Sequence, residues 1–441
     1  MMRAVDIAAA VRGGQVRAID VADECLARIA AAGHLVAVTR VLAARARDEA
    51  AQIDAMVAAG RDPGPLAGVP YGVKDLFDVA GIPTTAGSVI HADAPPAAGD
   101  AEAICRLRQA GAVLVATLNM DEFAYGFATI NAQYGTTRNP HDPARLAGGS
   151  SGGSAAVVAA GIVPFSLGSD TNGSVRVPAS LTGLYALKPT HGALPMGGVF
   201  PFAESFDDVG PFATSVADMC CLWQVLTGTS GSDAAQELHV ARLGGRFRDN
   251  ADPDQIAAID AIAPGAPMID LPDIARARSA AFLITAYEGG ALHAEALGRA
   301  ALQFDPATRD RLMAGALLPR ALHDEAQAFC AAFKARIAAL IADFDVLLAP
   351  CAPCVAPLIA DPRIMIDGAM VPARSDLGIH TQPISFLGLP SLAVPLRRPG
   401  RLPLGLQLIG KPGGEPALLA FAEMLEQDGW TGFTPPLGEM A

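Results

Sequence analysis

The segment VPFSLGSDTNGSVRVPAS, residues 163–180, combines an apolar run, a glycine-containing turn and a second apolar stretch. The run VPFSLG is typical of a buried strand, and the turn after it predicts the start of a helix. Such a turn can direct several backbone N–H groups to one point. There they would hold the oxyanion formed when the Ser174 hydroxyl attacks a carbonyl. The stretch alone also fits an ordinary strand–turn–helix junction.

Strands and helices alternate on both sides of this segment, which predicts an α/β layer architecture. AVLVAT (112–117) and FDVLLAP (344–350) are predicted strands, and so are PSLAVPL and GLQLIG near the end of the chain. SGGSAAVVAAG (151–161) is predicted to be a helix of small residues. Asp100 is expected to cap a helix that runs to Gly111.

We expect one compact domain overall, built from a main part and two helical additions. Residues 1–65 carry helical periodicity and are expected to form an N-terminal helical segment packed on the core. Residues 66–441 would form the main domain, with a helical insertion at about 215–345.

The composition excludes several classes of protein. Of the 441 residues 51% are hydrophobic and 17% charged, which excludes a disordered chain. The formal net charge of −13 argues against nucleic acid as a partner and against a polybasic membrane anchor. No apolar run reaches the roughly 18 residues of a spanning helix, and no secretory signal is evident. We therefore expect a cytoplasmic protein whose seven cysteines are reduced, with the Cys351–Cys354 pair structural rather than redox-active.

Two further segments carry residues suited to chemistry. Lys74, in GVPYGVKD, is either a surface charge or a buried functional amine. The loop AGGSSGGSAA (147–156) lacks the lysine of a phosphate-binding loop. Gly149–Gly153 formally matches the G-x-S-x-G nucleophile elbow, with His380 available as a partner, but the preceding DPARLAGG is predicted to be coil where the elbow needs a strand. A plain glycine–serine loop is the remaining alternative.

Together the three segments resemble the amidase signature family, which has a lysine in a G-x-P-x-x-V-K-D context, then GGSSGGSAA, then D-T-x-G-S-[IV]-R-x-P-A. The similarity continues through ALKPTHG (186–192), FDVLLAP and GLQLIG. The resemblance implies the amidase signature fold, a central mixed twisted β-sheet flanked by α-helices on both faces. It also implies a hydrolase that needs no metal and no organic cofactor.

The resemblance assigns roles to particular residues. It implies Ser174 as the nucleophile, Lys74 as the base, and Ser150, held in the family by a cis peptide bond, as the proton relay between them. The oxyanion would be held by backbone N–H groups of the turn, namely those of Thr171, Asn172, Gly173 and Ser174. Many family members have Gly-Gly before the nucleophile, whereas this chain has Asn172-Gly173, so the Asn172 side chain is placed where it could enter the pocket.

Longer stretches resemble one subgroup, the AtzE-type 1-carboxybiuret hydrolases of s-triazine and cyanuric acid degradation. These stretches are EFAYGFATINAQYGTTRNPHDP, THGALPMGGVFPFAESFDDVGPFA and TQPISFLGLPSLAVPL. The resemblance implies hydrolysis of 1-carboxybiuret with release of ammonia. It further implies a dimeric or heteromeric assembly with a small partner subunit resembling the C subunit of the tRNA-dependent amidotransferase.

Three alternatives stay open at this point. The chain could be a general amidase for aliphatic, aryl or malonamide-type amides. It could be the A subunit of the tRNA-dependent amidotransferase, against which its shorter length and its DTNGS turn argue. It could also be an inactive scaffold, against which the presence of Lys74, Ser150 and Ser174 argues.

A small anionic substrate would need cationic or amide donors near Ser174. Each candidate could equally be a surface or structural residue. The candidates are Tyr125, Asn131, Gln133, Arg320, His380 and Gln382. Arg176 is expected to be an internal structural cation instead.

Overall fold

The computed structural model describes residues 2–229 and 237–436. The helices of this part of the chain are α1 (Ala4–Arg12), α2 (Ala18–Ala31), α3 (Ala43–Ala58), α4 (Glu102–Gln109), α5 (Gly152–Ala159), α6 (Arg176–Thr182), α7 (Val216–Thr227), α8 (Arg246–Asp249), α9 (Pro253–Ile262), α10 (Ile274–Ala300), α11 (Pro306–Ala316), α12 (Arg320–Leu340), α13 (Ala373–Asp376), α14 (Gln382–Leu387) and α15 (Glu415–Gln427).

The strands of the described residues are mostly short. They are β1 (Val38–Val41), β2 (Pro70–Lys74), β3 (Val113–Leu118), β4 (Ile130–Asn131), β5 (Gly135–Thr136), β6 (Arg138–Asn139), β7 (Asp142–Leu146), β8 (Phe165–Asp170), β9 (Tyr185–Lys188), β10 (Asp208–Ala213), β11 (Val240–Leu243), β12 (Met268–Ile269), β13 (Val346–Pro350), β14 (Arg363–Ile366), β15 (Ala369–Pro372), β16 (Ser391–Pro395) and β17 (Gly405–Ile409).

Eleven of these strands form one mixed sheet. Their order is β1-β3-β2-β8-β10-β9-β16-β17-β13-β11-β12. The pairs β2–β3, β2–β8, β11–β13 and β11–β12 are parallel, and the other neighbours are antiparallel. The predicted α/β class and the mixed central sheet are confirmed.

Helices cover both faces of the sheet because its strands are apolar on both sides. In β3, Leu114 belongs to one apolar cluster and its neighbour Val115 to another. The first cluster includes apolar residues of α4, α7 and α15, and the second includes residues of α2, α3 and α5. Strands buried on both faces are typical of sheets sandwiched between helices.

Three local predictions were wrong. The N-terminal segment is not wholly helical, because β1 pairs antiparallel with β3 at the edge of the sheet. The insertion at 215–345 contains β11 and β12, which extend the sheet beside β13. DPARLAGG is not coil throughout, because β7 forms a two-stranded hairpin with β6. These strands of two to five residues are too short or too polar to show a strand periodicity.

Asp100 does not cap the helix that follows it. The N-cap position of α4 is Ala101, and Asp100 instead binds the guanidinium of Arg45 at 2.7 Å and accepts a hydrogen bond from the Ala80 N–H. None of the helices in residues 2–229 and 237–436 has the length and apolar character needed to cross a membrane.

The order of the strands places the chemistry-bearing segments together. Because β2 and β8 are parallel neighbours, their carboxyl ends lie at the same edge of the sheet. Lys74 is the last residue of β2, and Asp170, the last residue of β8, leads into the DTNGS turn before α6. In open α/β sheets such an edge is the usual place for a ligand site.

Candidate active site

Lys74 is a buried amine and not a surface charge. Its side chain is 0% exposed, and its Nζ donates hydrogen bonds to Ser150 Oγ at 2.7 Å and to Ser169 Oγ at 2.8 Å. No carboxylate of the described residues lies within 4.0 Å of this ammonium nitrogen. The contrast is Lys188, equally buried, which donates to the carboxylate of Asp208 at 2.9 Å.

Burial lowers the pKa of Lys74 to about 7, against the weaker opposing attraction of the carboxylates of Asp121, Asp207 and Asp170. An apolar, water-free environment disfavours the ammonium form of lysine. A substantial fraction of Lys74 is therefore a neutral amine at neutral pH, and a neutral amine can accept a proton.

The glycine–serine loop places Ser150 in contact with Lys74. The Gly149–Ser150 peptide bond is cis. A Cβ on Gly149 would collide with Asp121 Oδ2, so only glycine fits there. The Ser151 N–H donates to the Ser174 carbonyl oxygen at 3.2 Å, which ties the loop to the DTNGS turn.

The nucleophile-elbow alternative does not fit this loop. Ser151, which would be the nucleophile, is fully buried and its Oγ donates to the Ser169 carbonyl oxygen at 3.1 Å. Neither ring nitrogen of His380 has a hydrogen-bond partner in the described part of the chain. A serine–histidine pair is therefore not formed here.

Asp170 organises the DTNGS turn from within. Its carboxylate accepts hydrogen bonds from the Gly173 N–H at 2.7 Å and the Val175 N–H at 3.2 Å, and it forms an ion pair with Arg176 at 3.0 Å. Burial alone would raise the pKa of Asp170, but the Arg176 guanidinium and these donors hold it below its usual value. Arg176 is fully buried, so its predicted role as an internal structural cation is confirmed.

One of the four predicted oxyanion donors, the Gly173 N–H, is wrong. The Gly173 N–H was expected to point at the oxyanion, but it is already donated to Asp170 Oδ1. The N–H groups of Thr171, Asn172 and Ser174 have no hydrogen-bond acceptor among the described loops and turns. These three remain as candidate donors.

A narrow pocket lies beside Ser174. Phenylalanine rings form much of its wall. Its lining residues are Ala124, Tyr125, Gly126, Phe127, Thr171, Asn172, Ser174, Phe202, Phe282 and Arg311. The pocket thus combines an apolar wall with three hydroxyls, one side-chain amide and one cation, a mixture typical of small-molecule sites.

The cation, Arg311, was not among the predicted substrate contacts. Its guanidinium lies over the Tyr125 ring at 3.7 Å, and its Nη1 donates to the Tyr125 carbonyl oxygen at 3.0 Å. No carboxylate within the described residues forms an ion pair with it. Arg311 lies on the inward face of α11, three residues after buried Thr308 and four before buried Gly315, and no local sequence pattern marks that face.

Of the six predicted substrate contacts, Tyr125 alone lines this pocket. Asn131 is buried, and its side chain donates to the carbonyl oxygens of Gly87 and Met120 and accepts from two backbone N–H groups, so all its main hydrogen bonds are structural. Gln133 donates to the Gln303 carbonyl oxygen at an exposed position. Arg320 is 79% exposed at the start of α12.

His380 and Gln382 lie next to the turn but outside the pocket lining. Both are fully buried, and the polar atoms of both side chains lack hydrogen-bond partners among the described residues. Burial lowers the pKa of His380 to about 3, so its ring is neutral at neutral pH. Thr381 between them donates from Oγ1 to the Asn172 carbonyl oxygen at 2.9 Å.

The cysteines have no feature of a redox or metal site. All seven are free thiols, and burial raises the pKa of both Cys351 and Cys354 to about 12. The Cys351 thiol donates to the Arg176 carbonyl oxygen. Across residues 2–229 and 237–436, no three His, Cys, Asp or Glu side chains are grouped to hold a metal ion.

Comparison with known proteins matches nearly the whole chain. A family model described as Amidase matches residues 20–251 and 269–419. AtzE, a 1-carboxybiuret hydrolase subunit of Pseudomonas sp. (strain ADP), is 44% identical over 97% of this chain and 99% of its own length. The A subunit of the glutamyl-tRNA(Gln) amidotransferase of Chloroflexus aurantiacus is 35% identical over 95% of both chains.

Solved structures give the same match in three dimensions. One has a TM-score of 0.94 at 43% identity. It is described as the inhibitor-bound form of a vestigial protein complex that reveals the evolutionary origins of an s-triazine catabolic enzyme. It covers 98% of this chain and 100% of its own. A crystal structure of an amidase has a TM-score of 0.90 at 32% identity and covers 97% of this chain and 100% of its own.

Proposed function

The chain belongs to the amidase family and is an amide hydrolase, and we propose that its substrate is 1-carboxybiuret. In this reaction water and 1-carboxybiuret give ammonia and a dicarboxylated urea, which yields allophanate on loss of CO₂. The 44% identity to a 1-carboxybiuret hydrolase subunit over nearly the full length of both chains supports the assignment.

The observation that carries this substrate class is Arg311. It is a cation without a carboxylate partner among the described residues, and it lines the same pocket as Ser174. A guanidinium binds a carboxylate through two parallel hydrogen bonds. An acid with its carboxylate on Arg311 could present an amide carbonyl to Ser174, whereas a neutral aliphatic or aryl amide would leave Arg311 unpaired.

In the proposed mechanism Ser174 Oγ attacks the terminal amide carbonyl. Serine needs a base to attack at neutral pH. Ser150 takes the Ser174 proton and passes its own proton to neutral Lys74, with which it shares the 2.7 Å hydrogen bond. The N–H groups of Thr171, Asn172 and Ser174 hold the resulting oxyanion.

The tetrahedral intermediate collapses when the C–N bond breaks. The proton held by Lys74 returns through Ser150 to the leaving nitrogen, which departs as ammonia and leaves an acyl ester on Ser174. Water then attacks this ester with the same relay as base. The product acid is released and the Ser174 hydroxyl is restored.

Ammonia release from a substrate panel tests the proposal. The panel holds 1-carboxybiuret, biuret, malonamate, glutamine, and simple aliphatic and aryl amides. We expect kcat/KM to be highest for 1-carboxybiuret. Faster turnover of neutral amides would make the chain a general amidase. Preference for glutamine would favour the role of the amidotransferase A subunit. Chain length does not argue against that role, since the match spans 95% of this chain and 95% of the A subunit.

Arg311→Met should raise KM for 1-carboxybiuret by roughly 10²-fold, the scale of removing one partner of a desolvated ion pair. Biuret lacks the carboxylate, so its kcat/KM should change little. Arg309→Met is the matched control, because Arg309 lies on the same helix and pairs with Asp310. Equal losses for both substrates in Arg311→Met would show that Arg311 supports the fold and not the carboxylate.

We further propose a small partner subunit resembling the amidotransferase C subunit, since a related solved structure is described as a protein complex. The alanine-rich helices α1 and α2 are the proposed docking surface. Co-purification with a small protein resembling the amidotransferase C subunit tests this, and a fully active lone monomer would contradict it. We place the reaction in the reducing cytoplasm, consistent with seven free thiols.

A further inference from the structure

The side-chain amide of Asn172 is a polar group of the pocket to which the proposed mechanism gives no role. Asn172 is 7% exposed and lines the pocket together with Ser174 and Arg311. Its Oδ1 has no hydrogen-bond partner in residues 2–229 and 237–436. A buried acceptor without a partner costs free energy, so a group of this kind needs a ligand or an ordered water to complete it.

The main chain of Asn172 is held in place while its side chain is not. The Asn172 carbonyl oxygen accepts from Thr381 Oγ1 at 2.9 Å. The next residue, Gly173, has a φ of 133°, and a Cβ there would overlap the Thr381 hydroxyl. The turn is therefore fixed at this point, and it places Asn172 in the lining of the pocket.

Apart from the Tyr125 hydroxyl, the other polar groups of the lining are already engaged or assigned. Thr171 Oγ1 donates to Asp207 Oδ1 at 2.6 Å. Arg311 would take the carboxylate, and the Ser174 hydroxyl would attack the carbonyl. Among the described lining residues the Tyr125 hydroxyl and the Asn172 side chain remain with both a hydrogen-bond donor and an acceptor to offer, and Asn172 alone offers a side-chain carbonyl oxygen.

We propose that the Asn172 side-chain amide binds the N–H group next to the scissile carbonyl, so that the pocket selects ureido acyl groups. A side-chain amide oxygen accepts a hydrogen bond, and a ureide carries a donor N–H next to its scissile carbonyl, where an aliphatic acyl group carries a methylene. A substrate with a methylene at this position would leave Asn172 Oδ1 buried and unpaired. The inference rests on the proposed function and adds the chemistry of the acyl group to it.

Two stable acids allow binding of a ureido acyl group to be compared with binding of an aliphatic one. Hydantoate and succinamate have the same length, the same carboxylate and the same terminal amide, but hydantoate carries N–H where succinamate carries CH₂. Their dissociation constants are measured by calorimetry on the Ser174→Ala protein, which cannot turn them over. We expect hydantoate to bind about tenfold tighter or more, the scale of pairing a buried hydrogen-bond group.

Adding Asn172→Ala to this protein should reduce the preference to about twofold or less, since the unpaired acceptor is gone. Phe282→Leu on the same background is the matched control, because Phe282 lines the pocket without a polar atom. It should change both affinities by a similar factor and keep the preference. Melting temperatures of all variants check that each is folded.

Equal affinities in the Ser174→Ala protein, binding of neither acid, or a preference that survives Asn172→Ala would each overturn the inference. Turnover of 1-carboxybiuret by the native chain is measured separately. Turnover without a hydantoate preference rejects the role of Asn172 alone. A hydantoate preference that depends on Asn172, without turnover of 1-carboxybiuret, rejects only that substrate and keeps the selection of ureido groups.

Discussion

Ser174→Ala is expected to lower the rate of ammonia release by about 10⁴-fold or more, the scale on which loss of a covalent nucleophile reduces turnover. The two serines of the neighbouring glycine–serine loop are already engaged. Ser150 Oγ is bound by Lys74, and Ser151 Oγ is bound to the Ser169 carbonyl oxygen. The measurement is steady-state ammonia release from whichever amide of the panel the native protein hydrolyses best.

Ser154→Ala is the matched control for this change. Ser154 is equally buried, and its Oγ donates to the Leu167 carbonyl oxygen at 3.0 Å, so its loss removes one structural hydrogen bond. We expect a stability loss of about 1 kcal/mol and near-native turnover. Retention of activity in Ser174→Ala, with both variants folded, would show that another group attacks the amide.

Part of the site can be related to the sequence, namely the position of Lys74 at the end of a strand and the glycines beside Ser150. Lys74 ends an apolar strand, and a lysine there becomes buried once the parallel strand β8 pairs beside it. The glycines of the loop allow the close approach that places Ser150 on Lys74. The local pattern leaves Lys74 open between a surface charge and a buried amine, and it is the resemblance to the amidase signature family that predicts the Lys74–Ser150 contact.

The remaining features depend on contacts that local sequence does not encode. Arg311 lies 137 positions beyond Ser174 along the chain and reaches the pocket only through the packing of α11. The Gly173 N–H was misassigned because a turn does not reveal which of its amides a nearby carboxylate accepts. Here Asp170 takes that amide while also pairing with Arg176.

Lys74→Met should reduce kcat by roughly 10²–10⁴-fold, the usual contribution of a general base. Methionine is similar in length and apolar, so it fills the buried space without accepting a proton.

In the native protein kcat/KM should rise with pH until Lys74, whose pKa is about 7, is neutral, and should level off above that pH. Rates of ammonia release from about pH 5.5 to about pH 9 test the dependence, and a steady fall with pH would contradict a lysine base.

The same substitution should stabilise the protein. Burial lowers the Lys74 pKa to about 7 from an ordinary value of 10.5 in the unfolded chain. Between these two values the unfolded state binds more protons, so native stability rises with pH there, and the cost of burying the amine is largest at pH 7 and below. Lys74→Met removes that cost, so its melting temperature should exceed the native value most at pH 7 and approach it near pH 10. Lys188→Met provides the contrast, since it removes the ammonium partner of the buried Asp208 carboxylate, which keeps only His191 and the Gly192 N–H, and should melt lower. A Lys74→Met protein that melts as far below the native protein as Lys188→Met would show that Lys74 is held as a charged structural group and cannot serve as the base.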